Sequence, residues 1–216
     1  MQERLSRAVL RADLAPSYPD FINEAIREIQ DRRSWICMKN VAPVTINPNQ
    51  PPTLPGTAQV GALPADFKEL QKKPAVFFVT SLGDLLPVEV ITEGQQLRRV
   101  ERFHGCPFPS WPPRVFLELN YDGNNTNVIG IVEPLTEAWN FQVRYYRYLA
   151  PLVEDGDTSP FITSWPEMVL AKSKAIAFQG INDSEADNAE RLFEIKLLAA
   201  IRSDAHAEVS GRETRM

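Results

Sequence analysis

Two cysteines and two histidines are all that the 216 residues offer toward thiol or metal chemistry. Cys37 and Cys106 are too few to staple a chain of this size, so their scarcity points to a reduced, cytosolic setting and away from a disulfide framework. His104-Gly105-Cys106 is half a zinc site with nothing elsewhere to complete it. No base–nucleophile constellation accompanies either thiol, which leaves a Cys-dependent hydrolase without support. The chain also lacks a glycine-rich phosphate loop, a His-Glu-x-x-His pair and a Gly-x-Ser-x-Gly elbow. Carboxylates are numerous but scattered, the pattern of a solvated surface. These absences predict a protein that is not an enzyme and has no metal or cofactor.

A basic excess is missing too. Lys and Arg number 23 against 28 Asp and Glu, a net charge of −5, and no basic run stands out. A protein that grips nucleic acid through its phosphates needs the opposite balance, which argues against a DNA-packaging or regulatory module. No apolar stretch approaches the ~20 residues of a membrane span. Met1-Gln-Glu-Arg-Leu lacks the apolar core of a signal peptide, so a soluble protein not exported by that route is expected. What is plentiful is apolar residues, 44% of the chain, enough for one large domain or two small ones.

Helical signals lie at both ends. Leu5, Val9 and Leu10 suggest a short helix within Gln2 to Leu14. Ser17-Tyr18-Pro19-Asp20 then reads as a start, and Phe21, Ile22, Ala25, Ile26 and Ile29 form a stripe ending near Arg33. Ser164-Trp165-Pro166-Glu167 repeats that chemistry as a capping box. The helix it opens is apolar on nearly all sides except Lys172, Ser173 and Lys174, needs neighbours on two sides, and should stop near Gln179. Gly180 would take the left-handed cap position, with Ile181 folded back on Ile176. A last helix runs from Ser184 to about Ser203. It has an Asp187–Arg191 pair and a stripe of Ala186, Ala189, Leu192, Phe193, Leu197, Ala200 and Ile201 suited to a helical hairpin.

Between the helices the period changes to two. Trp35 to Met38 looks like the opening of a strand, and Pro43, Pro48, Pro51, Pro52, Pro55 and Pro64 then allow only edge strand or extended loop. Val76 to Thr80 and Leu86 to Ile91 read as strands, and Thr92 to Glu101 as one polar helix. Val115 to Tyr121 and Val128 to Glu133 form a hairpin, and Trp139 to Tyr146 a further strand. Asp122, Asn124, Thr126 and Glu133 match part of a calcium-loop spacing, but Asn127 stands where that loop needs Gly, so an ordinary turn is the better reading. Asn124-Asn125-Thr126 is formally a glycosylation sequon with no secretory signal to make it one. The expected class is α+β: an antiparallel helical bundle from 1–34 and 150–203, a β-rich hairpin or small sandwich inserted over 35–149 with a Pro-rich loop, and a disordered polar tail at 204–216.

One loop is suited to a partner. Pro107 to Pro113 is stiff and aromatic, and Phe108 and Trp111 are its candidate contacts, unless the loop folds over its own sheet.

The order of these pieces resembles the head-to-tail adaptor, or connector, proteins of tailed bacteriophages. The likeness rests on Phe21 to Gln30 running into Trp35 and on Leu63-Pro64-Ala65-Asp66-Phe67, similar to the family's Leu-Pro-x-Asp-Phe turn. It rests further on Tyr145 to Leu152 with the acidic Glu154-Asp155-Gly156-Asp157-Thr158, and on Trp165 to Leu170 with the closing Ala-rich helix. Pro43 to Pro55 and the Trp111 loop depart from the pattern. The resemblance implies a structural virion protein at the head–tail junction, assembled in the host cytoplasm. Its implied partners are further copies in a dodecameric ring, the portal protein, and the next tail component, whether nozzle, tail tube or stopper. DNA would pass through the lumen without specific binding, and an acidic balance suits such a channel. The resemblance also implies that the tail orders on the portal, with Arg212 and Arg215 available to its carboxylates. A head-completion stopper or a tail-terminator or tail-tube ring protein is the nearest alternative, since such rings differ mainly in the neighbours they touch.

Overall fold

Tyr18 to Arg32 form a helix because Ile22, Ala25, Ile26 and Ile29 recur at helical spacing and all four are buried. This is α2 of a computed structural model that describes residues 1–48, 59–91, 114–119, 126–131, 135, 137–154, 156–179 and 181–213, the last five of these by their backbone. The described chain divides into a helical unit, 1–38 with 148–216, and a β unit, 39–147.

The helical unit is built around α4, Pro166–Phe178, which packs against α1 (Gln2–Val9), α2, α3 (Pro160–Ser164) and α5 (Asp183–Glu213). Its sequence is apolar nearly all round, and Met168, Val169, Ala171, Ala175, Ala177 and Phe178 are buried accordingly. Below it Trp35 is fully buried, with Phe161 at 5.5 Å and Trp165 at 5.0 Å between ring centroids. The Trp35 indole N–H donates to the Ile29 carbonyl at 2.9 Å, so a polar handle is satisfied inside an aromatic cluster.

Local signals are overruled at several points. Neither serine cap forms. Ser159-Pro160 opens a helix about two turns before Glu167, with the Ser159 hydroxyl accepting the Phe161 N–H, so Ser164 falls in the last turn of α3. Pro166 then disfavours a helical Trp165, which breaks the two helices apart at φ −137°, ψ 56°. Glu167 is left facing Arg4 at 3.5 Å. The first helix ends at Val9, with Leu10 left-handed at φ 54°, and Ala12–Ser17 is 3-10 helix. Trp35 to Met38 opens no strand: the Met38 N–H closes a 3-10 turn onto the Trp35 carbonyl at 3.0 Å. Helix α5 does not stop at Ser203 but runs to Glu213.

The described residues of the β unit form eight strands: β1 Lys39–Ile46, β2 Gln59–Ala62, β3 Phe67–Leu70, β4 Val76–Val79, β5 Leu85–Ile91, β6 Arg114–Glu118, β7 Val128–Ile131 and β8 Trp139–Arg147. Their order is β1-β8-β4-β5-β6-β7-β2, and β3 lies end to end with β4 along one edge of β8. All pairs are antiparallel except β5 with β6. The hairpin read from Val115 and Val128 is present as β6 and β7, with Leu117 opposite Ile129. The sheet curls until its terminal strands meet, and a Cβ on Gly61 of β2 would lie 2.7 Å from Val44 Cγ1 of β1.

This corrects the expected class. The fold is α+β with a large, nearly closed barrel-like sheet, not a helical bundle carrying a small hairpin or sandwich. The physical reason is that closure depends on non-local pairs such as Val44 with Phe141 in β1 and β8, which no local period reports. Ile46, Val76, Val115, Ile131, Phe141 and Val143 fill the interior. The Leu63 to Phe67 turn closes on itself, Phe67 N–H to Pro64 carbonyl at 3.0 Å. Asp66 there accepts the Tyr145 hydroxyl at 2.9 Å, and Tyr145 in turn accepts from Asn40.

Candidate interaction surfaces

The residues singled out from sequence are not brought together. Phe108, Trp111, His104, Cys106 and Arg215 lie outside the described residues, as do Thr92 to Glu101, Asp122 to Asn125, Gly180 and the prolines at 51, 52 and 55. Arg212 stands in the last turn of α5. Cys37 is half-buried in the 3-10 turn. Among the described residues no group of three His, Cys, Asp or Glu side chains converges. No helix among them is long and apolar enough to cross a membrane.

What the helical unit does present is one apolar helix face and one stiff acidic loop. On α5, Phe193, Leu197 and Ala200 are buried against the unit, while Leu192, Ile195 and Leu198 are 47, 64 and 56% exposed. Leu192 was expected within the buried stripe. The sequence carries a signal for this: from Leu192 to Ile201 the apolar positions cover more of the helix circumference than one neighbour can. Arg191 and Arg202 flank the exposed face, and neither they nor Lys196 make an ion pair among the described residues; the expected Asp187–Arg191 pair does not form. Of the acids on the same helix, Glu194 faces Arg32 at 3.5 Å and Glu190 faces Lys172 at 2.9 Å, while Asp187 is exposed.

Lys172 holds α5 in place. Its ammonium, almost wholly buried, lies 2.8 Å from Glu28 on α2 and 2.9 Å from Glu190 on α5, and 5.1 Å from the Phe193 ring centroid. Burial acts to lower its pKa, but the hydrogen bonds from the two glutamates outweigh that and raise it. Further along, the Asp204 carboxylate is buried and anchors the helix to Ile36 and Arg33. Sequence reasoning missed both anchors because the partners of each stand on other elements of the helical unit, which local spacing does not report.

The loop after Leu149 is held as firmly. Asn23 on α2 both donates to the Leu152 carbonyl at 2.9 Å and accepts the Leu152 N–H at 2.8 Å. Asp157 accepts the N–H groups of Val153 and Glu154 at 2.7 and 2.9 Å. These bonds, Glu154's first, hold its carboxyl below the usual carboxylate range. The loop thereby presents Val153, 84% exposed, beside an exposed Glu154. A cavity of about 210 Å³ lies behind it, lined in part by Met1, Pro19 and Ile162. A second, of about 410 Å³, lies between Trp165, Pro166 and Met168 and the Lys196, Ala199 and Ser203 positions of α5.

In the β unit, the β4–β5 turn puts Leu82 at its tip, 88% exposed, with Gly83 at φ 87°. The turn is closed by the Thr80 N–H on the Asp84 carbonyl at 2.9 Å. Each of the three features presents an apolar side chain to solvent.

Comparison with known families finds a match to the model described as SU10 adaptor protein, over residues 1–215. Among curated proteins none matches.

Proposed function

The chain belongs to the SU10 adaptor protein family, a structural component of tailed-phage virions, and on that premise we propose that it forms the ring joining capsid to tail. The observation that carries this reading is the match along the chain from residue 1 to 215, which includes both units. The ring sits beneath the portal, is dodecameric, and offers its far side to the next tail component. Closed rings of identical subunits need two different patches per copy, and the exposed apolar face of α5 and the acidic loop are suited to such contacts. A net charge of −5 suits a lumen through which DNA slides without sticking. Arg212 and Arg215 would meet portal carboxylates.

The test is electron microscopy of the purified chain mixed with the portal ring of the same phage. The reading expects an added ring on the outer end of the portal, whose symmetry can be counted. Bare portals at high protein excess would refute it.

A further inference from the structure

We propose that neighbouring copies join head to tail through the outer face of α5, which receives the Val153–Glu154 loop of the next copy. This rests on the ring reading and specifies its contact.

Three observations support it. The α5 face exposes Leu192, Ile195 and Leu198, side chains that water solvates poorly and that the described residues of the helical unit leave 47, 64 and 56% exposed. Its unpaired charges are mostly positive: Arg191, Lys196 and Arg202 make no ion pair among the described residues, while Glu190 and Glu194 face Lys172 and Arg32 and the exposed Asp187 is the acid at its N-terminal end. The loop is the complement, an exposed Val153 next to Glu154 and Asp157, with its backbone fixed by Asn23 and Asp157 before any partner arrives. A preformed loop loses little entropy on docking.

The two patches also differ in position. The loop is anchored on Asn23, in the N-terminal half of α2, and faces Met1 and Gln2 of the α1 side. Helix α5 meets the other end of α2, at Glu28 and Arg32, and packs on α4, which itself packs on α1 and α2. The two patches thus sit on different elements of the helical unit, and no hydrogen bond or ion pair among the described residues joins them within one copy. Unlike patches generate a head-to-tail contact, which closes into a ring when the rotation allows. The cavity between Trp165 and Ala199 borders the α5 face and gives an apolar side chain of the incoming loop a place to enter, with Lys196 on its wall to meet Glu154.

Two variants test this. L192D/I195D spoils the face and V153D/E154R spoils the loop; all four positions are exposed, so circular dichroism should show both variants folded. Assembly is read by sedimentation velocity of the full chain alone and by electron microscopy on portal rings. Wild type should multimerise in at least one setting. Each variant should raise the assembly midpoint more than about tenfold, the factor that about 1.4 kcal/mol represents. Mixing the two variants should restore pairs, since one intact face meets one intact loop, but no closed ring. Either folded variant still closing rings, or a mixture that forms no pairs where wild type assembles, overturns this contact and leaves the ring reading standing. Wild type failing to multimerise in both settings overturns the ring reading and this contact together.

Discussion

Asp204 accepts the backbone N–H of Ile36 at 3.2 Å across 168 positions of sequence, and its second oxygen faces the Arg33 guanidinium at 3.4 Å. That oxygen has no hydrogen bond, so Arg33 contributes charge and not a donor there. Arg33 instead donates to the Ile201 carbonyl at 3.3 Å. A polar sequence that would fray by itself is pinned by one buried carboxylate. Replacing Asp204 with Ala leaves the Ile36 amide unpaired and should lower stability by about 1–3 kcal/mol. Urea unfolding measures the loss, and amide hydrogen exchange should speed up from residue 204 onward while the first turns of α5 stay protected.

Lys172 is held by two carboxylates that are each about one-third exposed, at 34 and 36%, so its removal leaves acids that water can still reach. Lys172→Met should cost about 2 kcal/mol, below the range for breaking a fully buried pair. Adding Glu28→Gln and Glu190→Gln should recover most of that. A triple variant no more stable than the single one would count against charge pairing as the cause.

Alkaline pH should unfold the protein through two named groups. Lys172 has a raised pKa, and so does Tyr145, through burial first and then the Asp66 carboxylate. For a raised folded-state value, stability is fully present below the unfolded pKa, about 10.4 for Lys and 10 for Tyr, and is lost as pH rises through the folded value. Thermal melts should therefore fall as pH climbs above about 10. The Tyr145→Phe variant should flatten part of that slope.

Asp157 works in the opposite sense. Its lowered pKa means that its contribution is present above the unfolded value of about 3.9 and is lost as pH falls through the folded one. Asp157→Ala should free the Val153 and Glu154 amides at neutral pH, read as faster exchange at those two positions with little change in the global melt.

Gly61 marks where the sheet closes on itself. A Cβ there would lie 2.7 Å from Val44 Cγ1 and 2.8 Å from the Thr45 carbonyl oxygen. Gly61→Val should push β2 from β1 and lower stability by about 1–3 kcal/mol, whereas Gly83→Ala acts only through its positive φ. Thermal unfolding of the two variants checks the difference.

What the sequence alone determined is whatever depends on near neighbours. Ile22, Ala25, Ile26 and Ile29 define α2 by spacing, Met168 to Phe178 mark a helix surrounded on several sides, and Val115 and Val128 bracket a hairpin. The missing Cys, His and glycine motifs left no chemical centre to argue from, and the order of pieces carried the family resemblance. Tertiary structure alone decided the rest. Ser164 carries a good local cap signal, yet Ser159-Pro160 starts earlier and Pro166 breaks the chain after it. The extension of α5 depends on Asp204 finding Ile36, and closure of the barrel on β1 pairing with β8 about a hundred positions away. Which apolar residues of α5 stay exposed was undecided as well, because Leu192 and Phe193 are equally apolar and differ only in what packs beside them. A local pattern records that a residue avoids water; only the assembled fold specifies which surface removes it.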